Sequence, residues 1–463
     1  MLTLSGHTFH PTILREYDVR GIVGETLSAD DAYALGRALG TIAVEDGGRT
    51  ACVGRDGRLS SPQLEAALVR GLADCGLDVT RVGCGPSPML YFAAVTSGAD
   101  VAVAVTGSHN PPDHNGFKMM RRGKPFFGAD IRRLGEIAAA GAFAVGSGTV
   151  TDRPARAAYV ARILADWDGD NDRPLTVVWD AGNGAAGEVM ADVAAALPGR
   201  HVLLNAAIDG TFPAHHPDPT EPETLEQLIA AVAAEGADVG IAFDGDGDRI
   251  GIVDGRGRIL WGDQILQILA EDLLARHPSA IVIADVKASR ALFDEVARLG
   301  GRPLMGRTGH SLIKTLMAET GAPLAGEMSG HIFFADRWYG FDDALYAAVR
   351  LLGVLSRLDG SLADRFDRMP RMVNTPELRF PCPDERKFAV IDAVKRRLAA
   401  EGAAVNDIDG VRVDAHGGWW LLRASNTQAV LVARAEAPDQ PTLDRLMATL
   451  RDHLAAAGVS LPG

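Results

Sequence analysis

One loop of this sequence collects several side chains that could carry out chemistry. The stretch TGSHNPPDHNGFK, residues 106–118, places Ser108 beside His109 and ahead of His114 and Lys118. Serine is a weak nucleophile that needs a neighbouring base or cation to react. The alternative is that Ser108 only caps a turn, as many loop serines do. We interpret Ser108 as a candidate nucleophile because those partners are close in sequence.

A second stretch, DGDGDR at residues 244–249, alternates three aspartates with glycines. Glycine allows the tight backbone path that brings alternate carboxylates around one hard cation. An EF-hand is not indicated, because its sixth position, normally glycine, is Arg249 here. An acidic turn without an ion is the alternative, although three carboxylates so close would repel one another. We expect Mg²⁺, with a phosphorylated Ser108 as a further ligand beside the carboxylates of Asp244, Asp246 and Asp248.

Two further polar loops suit a sugar phosphate. GEMSGH, residues 326–331, presents Glu327 and Ser329, an acceptor and a donor two residues apart that match vicinal sugar hydroxyls. RASNTQ, residues 423–428, offers Arg423 as a bidentate phosphate ligand beside small polar side chains. Both stretches are also compatible with ordinary polar hairpins.

Four shorter stretches each place a basic group or a histidine in a loop. Taken singly, each is more typical of a solvated or structural loop than of a binding site. They are DVRG (18–21), VGRDGR (53–58), DVKASR (285–290) and RTGHSLIK (307–314).

The elements that would position these loops alternate along the chain. Short apolar runs are followed by alanine-rich amphipathic stretches, the pattern of parallel sheets covered by helices. In residues 222–243, Thr224 and Gln227 have capping-box spacing, Gly236 supplies a helix end, and a buried strand follows. This unit recurs and predicts three related α/β domains. In such sheets ligands bind beyond the carboxyl ends of the strands, where the polar loops stand.

A chain of 463 residues exceeds a single hydrophobic core and predicts three or four domains. The composition changes near 150–157, 255–262 and 366–380. We therefore predict an α/β fold in which the last domain is a smaller α+β unit, with domains at 1–154, 155–257, 258–370 and 371–463.

The net charge of −14 disfavours binding to nucleic acid or to an anionic membrane. An anionic substrate would therefore need a local basic pocket. The four cysteines have no C-x-x-C spacing and are typical of a reducing compartment. The N-terminal stretch shows no cationic run followed by an apolar core and the sequence shows no apolar run of membrane-spanning length, so we expect neither a signal peptide nor a membrane span. We predict a cytoplasmic location.

Together, TGSHNP, DGDGDR, GEMSGH and RASNT, in this order and at these intervals, resemble the α-D-phosphohexomutase family. The resemblance extends from EYDVRG near the start to the RASNT loop, nearly the whole chain. It implies three related mixed-sheet α/β domains and a smaller C-terminal domain around a central active-site cleft. Met328 fits the glucose and mannose type, since glucosamine-phosphate relatives usually have glutamine there. Gln428 and Ala429 depart from relatives that often carry proline after the SNT triplet.

The resemblance implies an isomerase that reversibly converts hexose 6-phosphate into hexose 1-phosphate, for mannose, glucose or both. Phosphorylated Ser108 would donate to the sugar, a hexose 1,6-bisphosphate would reorient in the cleft, and Mg²⁺ would lie at the aspartates. The implied catalytic residues are Ser108, His109, Lys118, Arg249 and His331. The implied substrate-binding residues are Tyr17, Arg20, Lys287, His310, Glu327, Ser329, His331, Arg423, Ser425, Asn426 and Thr427.

A phosphate grip that holds either end of the sugar should move, so we expect a hinge near residue 370. The general base is one of His109, Lys118 and His331. Three alternatives remain: a phosphoglucosamine mutase of the same family, a metal-dependent sugar-phosphate phosphatase with an aspartate nucleophile, and a noncatalytic sugar-phosphate sensor. No heptad or apolar stripe indicates assembly, so we expect a monomer.

Overall fold

Four β-sheets follow one another along the chain in a computed structural model, which describes residues 6–426 and 428–461. The first three sheets mix parallel and antiparallel strands and are covered by helices, whereas the fourth is antiparallel throughout the residues described. This arrangement confirms the predicted fold class. The domain limits at 154, 257 and 370 remain predictions.

The first domain is built on a mixed sheet that contains four parallel strands among the residues described. Its described strands are β1 (Val19–Ile22), β2 (Thr50–Arg55), β3 (Asp78–Cys84), β4 (Val101–Val105), β5 (His114–Arg121), β6 (Lys124–Pro125) and β7 (Val150–Asp152). Its described helices are α1 (Ala29–Glu45), α2 (Ser61–Ala73), α3 (Ser87–Ser97) and α4 (Ala129–Ala140). The strand order is β1-β5-β4-β2-β3-β7, and β5 is antiparallel to β4. All of β4 is buried, as expected for a continuous apolar run inside a covered sheet.

The second domain repeats the plan. Its described helices are α5 (Arg156–Leu164), α6 (Gly187–Ala196) and α7 (Glu226–Glu235). Its described strands are β8 (Leu175–Asp180), β9 (Gly199–Leu204), β10 (Val239–Phe243), β11 (Ile250–Asp254) and β12 (Ile259–Leu260). The order is β12-β11-β10-β8-β9, with β8, β9 and β10 parallel. The predicted limit at 257 falls in the turn between β11 and β12.

The third domain has a smaller sheet. Its described strands are β13 (Ile281–Asp285), β14 (Arg302–Gly306), β15 (Leu324–Gly326) and β16 (Ile332–Phe334), in the order β14-β13-β15-β16. Its described helices are α8 (Gly262–Arg276), α9 (Arg290–Arg298), α10 (His310–Thr320), α11 (Ala344–Arg357) and α12 (Leu362–Asp367).

The fourth domain packs two helices on an antiparallel sheet. Its described strands are β17 (Val373–Asn374), β18 (Leu378–Pro381), β19 (Val405–Asn406), β20 (Val411–Ala415), β21 (Gly418–Ala424) and β22 (Val430–Ala437). The helices are α13 (Asp384–Ala400) and α14 (Gln440–Ala456).

The four loops with candidate chemistry occupy matching places in their sheets. Each joins two neighbouring antiparallel strands: β4 to β5, β10 to β11, β15 to β16 and β21 to β22. In the first three domains the loop follows the carboxyl end of a strand that belongs to the parallel part of the sheet. The fold therefore delivers one polar loop per domain.

One apolar core runs through the first three domains. It includes Phe92 of α3, Trp179 of β8 and Leu345 of α11. The fourth domain has a core of its own, with Trp420 of β21 and Leu446 of α14 among its members.

The predicted start of α7 is wrong. Thr224 lies in a 3₁₀ turn, and its hydroxyl donates to the carbonyls of Asp218 at 2.6 Å and Glu221 at 2.8 Å. The side chain of Gln227 accepts from Asn205 instead of capping the helix. The predicted end is confirmed, since Gly236 caps α7 with a φ of +57°.

Among the residues described, no helix combines the length and apolarity that crossing a membrane requires.

Candidate active site

Ser108 lies in a strained turn after β4 and faces the second domain. Its φ of +50° is in the left-handed region, which a non-glycine residue keeps only where its surroundings impose it. Its Oγ donates to Asp244 Oδ2 at 3.1 Å and lies 3.2 Å from His109 Nδ1. Thr106 Oγ1 accepts the Ser108 backbone N–H at 2.8 Å. Residues 136 positions apart in sequence thus meet at one hydroxyl.

Sequence reasoning missed the side chains that hold this turn. Asp56 Oδ2 accepts the backbone N–H of Gly107 at 3.1 Å, and the buried Arg58 donates to the carbonyl of Ser108 at 2.7 Å. Both belong to VGRDGR, which looks like an ordinary loop in the sequence. The burial of two charged residues is the signal, and only the structure provides it.

The three aspartates of the DGDGDR loop converge in a buried cluster. Their carboxylate oxygens lie within 4.8 Å of one another, and each residue has 0% exposure. Asp244 Oδ1 accepts the backbone N–H groups of Asp248 at 3.0 Å and Arg249 at 3.1 Å, which fixes the loop. A Cβ at Gly245 would lie 2.3 Å from the Ser108 carbonyl oxygen. Glycine is therefore required where the two loops touch.

Lys118, on β5, reaches into the same cluster. Its Nζ donates to Asp246 Oδ2 at 2.8 Å and to Asp248 Oδ2 at 2.5 Å. Burial by itself lowers the pKa of Lys118, but these two carboxylates raise it well above its usual value. The side chain is therefore a cation.

Charge balance within the cluster is incomplete. Burial, followed by the charges of Asp248 and Asp246, raises the pKa of Asp244 well above its usual value. Burial also acts to raise the pKa of Asp246, but the Lys118 ammonium and the Ser87 hydroxyl bring it below its usual range. The Lys118 ammonium and the nearby Arg249 guanidinium do not neutralise three buried carboxylates, so further positive charge would be favourable.

The donor set fits a hard divalent cation. The Oδ1 atoms of Asp246 and Asp248 are buried and have no hydrogen-bond partner among the described residues. Oxygen ligands from three carboxylates and a nearby hydroxyl are those that Mg²⁺ prefers. The cluster of Asp244, Asp246 and Asp248, with Ser108 beside it, is thus suited to hold a metal ion.

Two histidines line the other side of the cluster. The rings of His310 and His331 stack with centroids 5.4 Å apart, and Arg249 Nε donates to His331 Nε2 at 3.1 Å. His310 Nδ1 lies 2.9 Å from Asp342 Oδ2, while Lys314 donates to Asp342 Oδ1 at 2.8 Å. Burial, together with the charge of Lys314, lowers the pKa of His310 to about 4. Sequence reasoning missed Asp342, because a single aspartate carries no motif.

His109 is held neutral. Burial and then the nearby cations Arg249, Arg20 and Lys118 lower the pKa of its imidazole well below the usual value. A neutral imidazole beside the Ser108 hydroxyl is a proton acceptor rather than a fixed charge.

The third loop holds Glu327 in a buried position. Glu327 Oε1 accepts the backbone N–H of Gly309 at 2.6 Å, and burial raises its pKa despite the opposing effect of His331. Ser329 is half-buried in the same loop.

The fourth loop reaches back to the first domain. Asn426 Nδ2 donates to the Tyr17 hydroxyl at 2.6 Å, and that hydroxyl donates to the Thr308 carbonyl at 3.2 Å. Burial raises the pKa of Tyr17 to about 12. Arg423 Nε donates to Asp409 Oδ2 at 2.9 Å. The buried Ser425 lies in this loop as well, whereas Thr427 lies outside the residues that the structure describes.

Two predicted residues contact other partners. Lys287 Nζ donates to Glu377 Oε2 at 2.9 Å, a contact with the start of the fourth domain rather than with the metal loop. Arg20 donates to Asp18 and, at 3.4 Å, to the carbonyl of Gly107. Arg20 Nε is buried and has no hydrogen-bond partner among the described residues.

Comparisons with known proteins cover all four domains. Sequence models of the phosphoglucomutase/phosphomannomutase family match the chain with alpha/beta/alpha domain I at residues 11–144, domain II at 157–257, domain III at 261–372 and the C-terminal domain at 377–453. The chain belongs to this family.

Relatives of the family agree over the full length. The phosphomannomutase/phosphoglucomutase of Pseudomonas aeruginosa is 45% identical over 462 residues, covering 100% of this chain and 99% of the relative. The phosphoglucomutase of Neisseria gonorrhoeae is 44% identical over 94% of this chain and 95% of its own. A crystal structure of a phosphoglucomutase/phosphomannomutase family protein from Burkholderia thailandensis superposes with a TM-score of 0.93 at 45% identity, covering 98% of this chain and 100% of that one.

These matches confirm two predictions. The motifs correctly identified a phosphohexomutase, and the predicted class, an isomerase that moves a phosphoryl group on a hexose phosphate, follows from the family. Both the phosphatase and the sensor interpretations are disfavoured.

Proposed function

We propose that this phosphohexomutase interconverts hexose 6-phosphate and hexose 1-phosphate of glucose and mannose, with Ser108 as the phosphoryl carrier. The observation that carries the proposal is the 3.1 Å hydrogen bond from Ser108 Oγ to Asp244 Oδ2. It joins the candidate nucleophile to the one cluster of buried carboxylates that contacts it. The Pseudomonas aeruginosa relative, which is 45% identical, is named for both sugars, and this supports both substrates.

The transfer conserves phosphate. The bond between phosphorus and Ser108 Oγ breaks as a bond forms to the free hydroxyl oxygen of the sugar, and the hydroxyl proton passes to a base. The product is a hexose 1,6-bisphosphate. After it turns over in the cleft, its other phosphoryl group returns to Ser108 Oγ and the isomeric monophosphate leaves.

Charge governs this step. The transferred group and the second phosphate are dianions, so cations around Ser108 lower the barrier. Lys118 and Arg249 supply positive charge from the protein, Lys118 through its contacts with Asp246 and Asp248. We assign the base to His109 or His331, which flank the hydroxyl and the metal loop.

Asp244, Asp246 and Asp248, completed by an oxygen on Ser108, would hold Mg²⁺. When bound, the ion supplies electrostatic stabilisation to the transferring phosphoryl oxygens.

The remaining predicted residues are proposed to bind the sugar phosphate. Glu327 and Ser329 present acceptor and donor groups to the sugar hydroxyls, and Arg423 with its loop grips the phosphate that does not react. The other proposed substrate contacts are Tyr17, Arg20, Lys287, His310, His331, Ser425, Asn426 and Thr427.

Three wider features belong to the proposal. A hinge near residue 370 lets the fourth domain close over substrate, supported by the separate core of that domain. A cytoplasmic location is supported by four cysteines that form no disulfide. A monomer is supported by the wide scatter of the exposed large apolar side chains, which include Leu59 and Phe388.

Intact-mass measurement tests the proposal directly. The purified chain should gain one phosphate from glucose 1,6-bisphosphate, and glucose 1-phosphate or mannose 1-phosphate should remove it. Ser108→Ala should abolish both the phosphate and the isomerisation. Net release of inorganic phosphate with Ser108→Ala still active would indicate a phosphatase instead.

Removal of divalent cations provides the second test. Incubation with a chelator should abolish isomerisation, and added Mg²⁺ should restore it. Asp246→Asn should lower the Mg²⁺ affinity in titrations. Full activity after chelation, or unchanged affinity in Asp246→Asn, would reject the carboxylate cluster as the metal site.

A further inference from the structure

Arg58 is buried in the first domain at 1% exposure, yet it carries a charge and five donor groups. Its Nε donates to Asp56 Oδ2 at 3.2 Å, which supplies the counter-charge. The other two nitrogens donate only to main-chain carbonyls among the described residues, and all of these belong to the turn that carries Ser108. The acceptors are Ser108 at 2.7 Å, Asn110 at 2.6 Å, His114 at 3.0 Å and Pro111.

The shape of the turn depends on this side chain. A Cβ at Gly107 would lie 2.3 Å from Arg58 Nε, so the guanidinium lies flat against a glycine backbone. Ser108 is held at a positive φ in the next position, a conformation that needs support from its surroundings. The guanidinium provides that support, because it binds the carbonyl of Ser108 itself and three carbonyls of the residues that follow it.

The second domain presses on the same arginine. The Phe212 ring lies 5.0 Å from Arg58 Cζ, and a Cβ at Gly210 would lie 2.5 Å from Arg58 Cα. The second domain also supplies Asp244, which accepts from the Ser108 hydroxyl. Arg58 thus lies at the contact between the loop that carries Ser108 and the second domain, which carries Asp244.

We infer that Arg58 is the positioning residue of the phosphoryl carrier: its guanidinium fixes the 107–114 turn so that Ser108 Oγ faces Asp244. The inference rests on the proposed function, since it concerns the residue that would carry the phosphoryl group. Lysine cannot replace arginine here, because one ammonium nitrogen does not reach acceptors spread around a planar fork.

Arg37 is a matched control for burial and stacking. It is 6% exposed, its Cζ lies 5.1 Å from the Phe143 ring, and it donates to the Ala144 carbonyl at 2.9 Å. It lies in the same domain but holds no part of the Ser108 turn. A loss of general stability should therefore affect both arginine variants, and a loss of positioning should affect only one.

The experiment compares Arg58→Lys with Arg37→Lys. For each we measure kcat, KM, the thermal midpoint, and the rate at which glucose 1,6-bisphosphate phosphorylates Ser108, followed by intact mass. Arg58→Lys should lower kcat and the phosphorylation rate about 100-fold, the usual effect of a misplaced reacting group, with KM within about threefold of wild type. Arg37→Lys should lower the thermal midpoint while both rates stay within about threefold of wild type.

Arg58→Ala adds a rescue measurement. Millimolar guanidinium should raise the kcat of Arg58→Ala about tenfold or more, because the ion can donate to the carbonyls that Arg58 has left. It should not raise the kcat of Arg37→Ala. Should Arg58→Ala fail to fold, Arg58→Lys alone decides.

The outcomes separate the two claims. Rates in Arg58→Lys equal to those in Arg37→Lys, with wild type phosphorylated normally, would overturn the role of Arg58 and leave the proposed function standing. Absence of phosphate on Ser108 in wild type would overturn the proposed function itself.

Discussion

The first three domains share one apolar core, whereas the fourth domain has a separate core and meets them through a more polar interface. Their shared core includes aromatic contacts between domains: the Trp338 ring of the third domain stacks on Phe92 of the first at 6.4 Å, and on Tyr346 of its own domain at 4.1 Å. Tyr159, from the second domain, packs against the same indole at 6.4 Å. One core therefore continues through three sheets.

The interface with the fourth domain contains buried charge. Arg412 lies 3.8 Å from the Trp419 ring and donates to the carbonyls of Val286 at 2.6 Å and Ala288 at 2.9 Å. Among the residues described, a small apolar cluster formed by Val286, Trp419 and Leu421, with Met305 against it, bridges the third and fourth domains.

This difference predicts that the first three domains form one rigid body and that the fourth domain can move relative to it. Opening the aromatic interface would expose apolar surface to water, which costs about 25 cal/mol per Å². Opening the polar interface exchanges protein hydrogen bonds for hydrogen bonds to water, at a smaller net cost. A catalytic cycle that requires the cleft to open would therefore use the second interface.

Trp338→Ala should have the largest effect of the substitutions at these interfaces. Loss of the indole should destabilise the three-domain body by about 3–5 kcal/mol, because several rings from different domains lose their common contact. Differential scanning calorimetry should show a lower midpoint for the main transition. Trp167→Ala, at a half-buried tryptophan that only borders this core, is the control and should have a smaller effect. Equal shifts in the two variants would contradict a shared interdomain core.

A buried carboxyl makes the three-domain body sensitive to pH. Asp343 accepts the Tyr159 hydroxyl at 2.9 and 2.8 Å, and burial raises its pKa from 3.8 to about 7. Between these values the unfolded chain is ionised and the native protein keeps the proton, so stability falls as the pH rises from 4 to 7 and is level above. Asp343→Asn lacks this loss and should be more stable than wild type by about 2 kcal/mol at pH 8.

The measurement is the difference in thermal midpoint between Asp343→Asn and wild type at pH 5 and pH 8. The difference should grow in favour of the variant at the higher pH. A difference of the same size at both values would show that Asp343 is ionised throughout the range.

Arg412→Met should weaken the interface between the third and fourth domains. The carbonyls of Val286 and Ala288 would lose their donor, which should weaken docking of the fourth domain by about 1–2 kcal/mol. Calorimetry should then resolve a transition of the fourth domain below the main one. Arg451→Met, at an exposed position of α14, should leave the profile unchanged. An unaltered single transition in Arg412→Met would mean that the charged contacts do not hold the domain.

The sequence predicts the loops of the site better than their supports. Ser108 and the aspartates come directly after strand-like runs, and the carboxyl ends of such strands meet at one edge, so their convergence follows from the pattern. Arg58, Asp342 and Glu377 carry no motif, because they act on carbonyls or side chains that are remote in sequence. The predicted capping box at Thr224 is wrong for a related reason. The Thr224 hydroxyl donates to carbonyls of the preceding turn instead of capping α7.

The smallest expected effect concerns the ion pair between Lys287 and Glu377. Burial acts to raise the pKa of Glu377, but Lys287 and then Arg379 hold it well below its usual value of 4.5. A depressed carboxyl pKa contributes stability above 4.5 that is lost as the pH falls below it, the reverse of Asp343. A double-mutant cycle with Lys287→Met and Glu377→Gln should give a coupling of about 0.5–1 kcal/mol at pH 7 in the docking transition, the low end for residues in contact, because Lys287 keeps Asp285 as a second partner at 3.9 Å. Arg379→Met is the control for loss of a neighbouring cation. Coupling that is independent of pH would show that the charge of Glu377 does not stabilise the docked domain, whereas coupling that weakens only in acid would show that it does.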